Sequence, residues 1–533
     1  FLVRIFRSDG HVLLDPDAEC VKIVRLLLFP FGKYELPYND VQEQQVLAAF
    51  KQAELDLHNY TPFFASLHRG MCTISSRRRI KGEERKISKT YCPTDPTLPP
   101  EDPLWAVVRE ARIVLNQLFS HFDPLDIEPR HGPGAVATKQ KLSEKYLWTN
   151  VSDRITSHYP FDAYFCASSG HVCDSYPSFS DVTGKDLSAQ VILVPKDSRG
   201  PRLISCEPVD FQWIQGGLRA AIYGLVESHD LTRGNVFFTD QVPNRIGALF
   251  GSSNGRYVTL DLKEASDRVH LDLVRLLFPD HVFAYLDACR STSTKLPSGE
   301  VLKLIKFAPM GSALCFPIMA LTIWALLTAG APNADTRDRI LVYGDDVIVP
   351  TAFAESAMNI LESFGLKINH DKSCIQGFFR ESCGMDAFKG INVTPVRFRT
   401  VWKESPCPSV YTSWISYANS FWDKRCYAVY DYIVTRLEAI YGPIPGEDIS
   451  KKRYPSLRMA TAGTSTFRRR FNKHLQKMQY YIRDVKSPSV EQIIDGWSML
   501  LRFFSESRKP PIYTHGHTEE WIDFDQSASF SAR

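Results

Sequence analysis

Apolar and polar positions alternate along this chain in blocks whose period changes from place to place. Between residues 41 and 58, VQEQQVLAAFKQAELDLH sets apolar against charged positions at helical spacing and predicts an amphipathic helix. Residues 104–121 predict a second helix, HGPGA at 131–135 a Gly/Pro turn, and the Ser- and Gly-rich stretch 160–190 an irregular region. From Val191 the period shortens. VILVP predicts a strand, KDSRGPRLISCEP a basic turn leading into another, and YVTLDL at 257–262 a third, ahead of a short irregular stretch and an amphipathic helix. LVYGDDVIVP at 341–350 predicts a hairpin whose tight turn carries acidic residues. TAFAESAMNILESFG then predicts a helix capped by Thr351 and stopped by Gly365.

One block needs a membrane test, because residues 307–334 carry no charge. A spanning helix needs ~20 mostly apolar residues, whereas this run contains Pro309, Pro317 and several Gly, Ser and Thr. A loop followed by a buried helix is therefore expected, with helix only after Pro317. The length of 533 residues implies more than one domain, since single cores stop growing at ~250–300 residues. A chain 44% hydrophobic and 23% charged is neither disordered, collagen-like nor a coiled coil. Its twelve cysteines include no CxxC pair, and the groups Cys166/His171/Cys173 and His370/Cys374/Cys383 match no usual zinc spacing. Reduced, mostly buried thiols of a cytosolic protein are expected. FLVRIFRSDG lacks the basic start and long apolar stretch of a signal peptide. It begins with Phe1 rather than Met, so residues are expected to precede it.

Charge changes the picture most. The net +3 hides residues 451–483, which hold ten Lys/Arg and no acid, leaving the other 500 residues at −7. Ten cations supply salt-sensitive attraction to phosphate, and Tyr454, Phe467, Phe471, Tyr480 and Tyr481 could stack on bases. The alternative is a solvated basic helix. A smaller basic stretch, RRRIKGEERKISK at 77–89, precedes a predicted loop at 92–103 with five prolines.

The acidic hairpin carries the chemistry. Asp345 and Asp346, adjacent on a tight turn, repel each other unless a cation intervenes. Asp261, ending a separate strand, could complete a site for two Mg²⁺ ions, which favour a few carboxylates plus substrate phosphates. Gly-Asp-Asp alone is weak, since it arises by chance in roughly one chain in ten of this length. Here apolar strand residues flank it, Asp261 lies 84 residues upstream in DLKEASDRV, and PMGSA stands between them. Farther upstream, VPKDSRGPRLISCEP offers Lys196, Arg199 and Arg202 to a triphosphate.

This set, in this order, resembles motifs F, A, B and C of palm-type RNA-dependent RNA polymerases. It is most similar to the replicase catalytic subunits of single-stranded RNA bacteriophages, the leviviral group. The matching stretches are VPKDSRGPRLISCEP, DQVPNR, the DLKEASD run, LPSGE, PMG, VYGDDVIVP and GFFRESCGMDAFKGINVTPVRFR, spanning about 191–400, with HGPGA extending the match weakly upstream. The resemblance implies an α+β right hand with a palm of antiparallel sheet plus helices, fingers and thumb. Its expected divisions are 1–190, N-terminal region and part of the fingers; 191–240, fingers with the basic motif; 241–376, palm; and 377–533, primer-grip region, thumb and basic C-terminal region.

The roles it implies follow residue by residue. Asp261 and Asp345 would be the main Mg²⁺ ligands, with Asp346 assisting and the Leu262 carbonyl available to one ion; Mn²⁺ could substitute. Asp267 would sense the ribose 2′-hydroxyl, or else merely favour the dipole of a following helix. Lys196, Arg199 and Arg202 would grip the triphosphate, although neighbours could replace Arg199. Gly311 and Ser312 would form the motif B loop under the templating base pair. Many relatives have Asn where Ser312 stands, and its hydroxyl could bond to Asp267 or the ribose instead. Lys372, in NHDKSC, would be the general acid for pyrophosphate, or a solvated loop lysine. FRESCG at 379–384 would hold the primer strand, and Arg468, Arg469, Arg470 and Lys473 would contact RNA. The implied partners are template and product RNA, nucleoside triphosphates, host elongation factors Tu and Ts, and a host RNA-binding or ribosomal protein. The implied setting is the cytoplasm of a bacterial host, with no membrane span. A reverse transcriptase and a non-catalytic RNA-binding subunit with a degenerate palm stand as alternatives.

Overall fold

The computed structural model describes residues 2–69, 103–175, 183–184, 186–448, 455–459, 465–485, 496–506 and 517–522. The basic stretch 77–89, most of the Pro-rich loop and Tyr454 lie outside the described residues.

Near the N-terminus come helices α1 (Ala18–Leu28) and α2 (Asp40–His58). The amphipathic pattern that predicts α2 is closed at its start by a capping box between Asn39 and Gln42, which satisfies two otherwise orphaned N–H groups. Helix α3 (Pro103–Leu118) follows. The stretch 160–190 is not wholly irregular: short helices form at Phe161–Tyr164 and Ser169–Ser175. Strands β1 (Ala189–Asp197) and β2 (Gly200–Cys206) then make the antiparallel ladder that the basic turn implies. Helices α4 (Val209–Ser228) and α5 (Val242–Asn254) lead into β3 (Tyr257–Leu260) and the two-residue β4 (Leu262–Lys263). The predicted strand 257–262 is thus interrupted at Asp261.

Strands β5 (Ser293–Lys295) and β6 (Val301–Lys303) extend the first sheet to the order β2-β1-β5-β6, with β1 and β5 parallel. Helix α6 (Cys315–Gly330) is apolar all round, and thirteen of its sixteen residues are buried, as an interior helix without a polar face must be. It begins three residues earlier than expected, because Pro317 sits in the first turn, where its missing N–H costs no bond. Among the described residues, no helix is long and apolar enough to cross a membrane.

The hairpin β7 (Leu341–Tyr343)–β8 (Asp346–Pro350) forms as predicted, and β8 lies between β7 and β3 in an antiparallel sheet. Helix α7 (Ala354–Ser363) comes next, but Thr351 does not cap it. Its hydroxyl donates to the Gly255 carbonyl, while residues 351–353 form a 3-10 turn that carries the chain into α7. Strand β9 (Lys367–Ile368) pairs with β4. Strands β10 (Phe379–Ser382) and β11 (Met385–Phe388) form a hairpin around Cys383 and Gly384, both with positive φ, as a type I′ turn requires.

One hydrophobic core joins α3, α4, α6, α7 and the central sheet, from Phe64 to Ile368, with Leu501 added from the C-terminal part. A second core lies around α8 (Pro408–Asp423) and α9 (Tyr427–Tyr441), with Leu26 and Tyr34 packed against it. The N-terminal segment is fastened to the β10–β11 hairpin by charge: buried Asp386 accepts from Arg25 at 2.5 Å and Arg397 at 2.6 Å. Beyond α9, β12 (Arg469–Asn472), β13 (Lys477–Val485) and β14 (His517–Ile522) form a three-stranded antiparallel sheet. Helices pack on largely antiparallel sheets, an α+β architecture.

Candidate active site

Register brings the carboxylates to one sheet edge. The β8–β3 ladder runs from Pro350 opposite Tyr257 to Val347 opposite Leu260. One step on, the strands end with Asp346 and Asp261 at the same level. The β7–β8 connection is only Gly344 and Asp345, because Tyr343 pairs with Asp346. Gly344 has φ +65°, and a Cβ there would lie 2.2 Å from a ring carbon of Phe316. Backbone geometry and space both demand glycine. From the neighbouring helix, buried Asn244 donates to the Asp346 carbonyl at 3.0 Å, and Arg245 donates to the Cys383 carbonyl at 3.2 Å. DQVPNR therefore ties the acidic turn to the FRESCG hairpin.

Burial and like charge dominate the electrostatics. Asp345 titrates above the usual carboxylate range, chiefly through burial and then through the charge of Asp261, while Lys372 and Arg202 pull it back. Asp346 is pushed up to about 6 by burial and by Asp345, partly offset by hydrogen bonding to Cys383. Among the described residues, no three His, Cys, Asp or Glu side chains converge into a formed metal cage. The donors are nonetheless hard oxygens at mutually raised potential, the set that suits a divalent cation.

Asp261 is held by residues that sequence reading missed. Its carboxylate accepts from Asn369 Nδ2 at 2.6 Å, and its backbone N–H donates to Ser373 Oγ at 3.1 Å. The Asn369 N–H returns to the Asp261 carbonyl at 2.8 Å. Pairing of Ile368 with Leu262 delivers this segment to the site. The signal is the polar run NHDKSC directly after a short strand, from which only Lys372 stands out by charge. Lys372 Nζ lies 3.8 Å from Asp261 Oδ2, with about half of its side chain exposed to solvent.

The basic motif faces the same edge. Burial lowers Lys196 below the usual lysine range, and Arg202, Arg199 and Lys372 reinforce that shift, so four cations share one neighbourhood. They are not equivalent. Arg199 is already paired with buried Asp197 at 2.7 Å, and its carbonyl accepts from Gln42 at 2.9 Å. Gly311, at φ +128°, packs its backbone against β2 so closely that a Cβ would fall 2.0 Å from the Ser205 oxygen. Ser312 is buried and bonds to neither Asp267 nor open space. Its hydroxyl donates to Gln215 Oε1 at 3.0 Å, and the same oxygen accepts the Ala313 N–H at 3.0 Å. Asp267 ends a 3-10 turn and accepts from Lys306 Nζ at 2.8 Å.

The C-terminal basic residues stand apart from this cluster, on a hairpin and not a helix. Arg469 and Arg470 lie on β12, with Arg468 before it and Lys473 in the turn; Arg468 covers the Tyr481 ring, and Arg470 donates to Gln479 at 3.1 Å. Phe471 is exposed as expected, whereas Phe467 is buried in a small core with Ile482 and offers no face for stacking.

Residues 106–500 match the family model described as RNA replicase, beta-chain. Among curated proteins, the chain is 33% identical over 246 residues to the RNA-directed RNA polymerase subunit beta of Qbeta virus (strain MX1), covering 45% of this chain and 41% of that protein. It is 32% identical over 299 residues to the corresponding subunit of Enterobacteria phage SP, covering 55% and 50%. With the RNA-directed RNA polymerase beta chain of Escherichia phage MS2 it shares 32% over 205 residues, covering 38% and 36%. The matched region thus spans half or less of each relative.

Proposed function

The chain belongs to the RNA replicase beta-chain family, and from that premise we propose that it is an RNA-directed RNA polymerase copying a viral single-stranded RNA. In this reaction the template-paired 3′-hydroxyl of a growing strand attacks the α-phosphate of a nucleoside triphosphate, and pyrophosphate leaves. The observation that carries the reading is electrostatic: Asp261, Asp345 and Asp346 repel one another at one sheet edge while Lys372 and Arg202 oppose that charge.

Asp261 and Asp345, with Asp346 assisting and the Leu262 carbonyl nearby, would hold two Mg²⁺ ions, or Mn²⁺ in their place. Bound there, such ions would stabilise negative charge on the attacking and leaving oxygens. Lys196 and Arg202 bind the triphosphate and oppose the charge that grows on pyrophosphate. Arg199 contributes through a guanidinium it shares with Asp197. Lys372, half-exposed beside Asp261, supplies the proton that the leaving group takes up. Asp267 reads the 2′-hydroxyl, and the loop at Gly311 and Ser312 supports the templating pair. FRESCG holds the primer end, and Arg468, Arg469, Arg470 and Lys473 contact RNA.

In this right-hand scheme, 241–376 is the palm, 191–240 belongs to the fingers with part of 1–190, and 377–533 supplies primer grip, thumb and basic region. The partners are template and product RNA, nucleoside triphosphates and, as in its family, host elongation factors Tu and Ts with a host RNA-binding or ribosomal protein. The setting is the cytoplasm of an infected bacterium.

Primer extension tests the reading, using the full chain purified with its host factors. Ribonucleotides should be incorporated in the presence of Mg²⁺, and Asp345→Ala should reduce extension to background. Incorporation of deoxynucleotides alone, or an Asp345→Ala variant as fast as the parent, overturns it.

A further inference from the structure

Lys306 is completely buried, although it is charged and stands directly before the uncharged run 307–334. Burying an ammonium is costly unless it is paired. Its Nζ lies 2.8 Å from Asp267 Oδ1 and 3.2 Å from Glu54 Oε1, and 3.7 Å from the centre of the Phe50 ring. Glu54 is itself buried and accepts the Ile305 N–H at 2.7 Å. Backbone pairing fixes the lysine from the other side: Leu271 donates to Ile305 and Phe307 donates to Val269. The ammonium therefore has little room to leave Asp267.

Helix α2 supplies Phe50 and Glu54 and also reaches the same turn a second time. Asp56 pairs with Arg268 at 2.9 Å, and Arg268 also holds Glu264 at 2.9 Å. At its other end, Gln42 reaches the Arg199 carbonyl. One helix thus braces both the basic loop and the turn that carries Asp267. Asp267 keeps about a fifth of its side chain exposed, and the buried Cys315 thiol lies within electrostatic reach of both Asp267 and Asp345.

The geometry points to Lys306 as a positioning residue for sugar selection: it clamps one oxygen of Asp267, with Glu54 of α2 setting the clamp, so that the carboxylate meets the 2′-hydroxyl of an incoming ribonucleotide in one orientation. This inference rests on the reading of Asp267 as the sugar-sensing residue. An unclamped carboxylate would rotate, and hydrogen-bond discrimination would fall although the residue itself remained.

The test is the ratio of kcat/KM for ATP to that for 2′-deoxyATP in single-nucleotide extension by the full chain with its host factors. A merely structural defect lowers both values and leaves their ratio alone. Lys306→Met should lower the ratio about tenfold, Asp267→Asn at least as much, and the double variant no more than Asp267→Asn alone, to within twofold. Glu54→Gln should lower it two- to threefold. A Lys306→Met ratio within twofold of the parent, or effects that multiply in the double variant, overturns the clamp while leaving Asp267 in its role. An unchanged ratio in Asp267→Asn removes that role and the clamp with it. If Lys306→Met does not fold, Glu54→Gln decides: a parental ratio at parental melting temperature overturns the inference.

Discussion

Asn369 donates its side-chain amide to the Asp261 carboxylate at 2.6 Å, across 108 residues of sequence. This bond sets which way the Asp261 carboxylate points, and the Ser373 hydroxyl fixes the backbone at the same residue. In metal sites, partners that orient a ligand typically contribute 10–100-fold to affinity or activity.

Asn369→Ala should therefore raise the Mg²⁺ concentration for half-maximal extension by roughly 10-fold or more. Asn369 is buried, so melting temperature should fall as well, and the Mg²⁺ half-point is compared at a temperature where both proteins are folded. A Mg²⁺ titration of extension rate checks this. An unchanged half-point would show that Asp261 is oriented without the amide.

How much of this was legible in the sequence differs from element to element. Apolar strand residues on both sides of the Gly-Asp-Asp turn make the β7–β8 hairpin readable, and it forms at 341–350 as predicted. The absence of charge from 307–334 makes α6 readable as a core helix. What escapes is whatever depends on a distant partner. Thr351 has the chemistry of a cap but spends its hydroxyl on Gly255. Ser312 has the chemistry to reach Asp267 but is held by Gln215, 97 residues earlier. In 451–483 the abundance of basic residues is visible, whereas the pairing of Arg469 with Tyr480 is set by the ladder and not by charge.

Gly344→Ala should destabilise the protein by about 2–4 kcal/mol. Roughly 1–2 kcal/mol of this comes from a left-handed non-glycine residue, and overpacking against Phe316 contributes the rest. Denaturant melts of the single variant and of a Gly344→Ala/Phe316→Ala pair separate the two terms. If the steric term is real, the two substitutions are non-additive, with the pair losing less than their sum.

Glu207 gives a pH signature of its own. Burial pushes it up to about 7, although Ser291 and Arg290 favour its charged form. A carboxyl group raised above its unfolded value contributes stability that is fully present below about 4.5 and is lost as pH rises through about 7. Against a Glu207→Gln variant, the parent should thus lose on the order of 3 kcal/mol between pH 4.5 and 8. Urea melts across that range check the slope. A difference that is flat or rises with pH would show that Glu207 is ionised in the fold without penalty.

The basic hairpin makes a prediction about salt. On β12, Arg469 and Phe471 share one face because side chains alternate along a strand, and Phe471 is 53% exposed. That face pairs a cation with an open ring, the combination that tracks a single strand through phosphate and base together. Lys473 adds charge in the turn. Removing one cation–phosphate pairing from a bound single strand reduces the slope of log affinity against log salt by ~0.7. Replacing Arg468, Arg469, Arg470 and Lys473 with Gln should therefore flatten the slope by up to about 3 and weaken binding most at low salt. Phe471→Ala, by comparison, should lower affinity by roughly 1–3 kcal/mol while leaving the slope as it was. Fluorescence anisotropy with a short single-stranded RNA at several salt concentrations distinguishes the two. Parallel salt slopes for the parent and the four-Gln variant would take the RNA track off this hairpin.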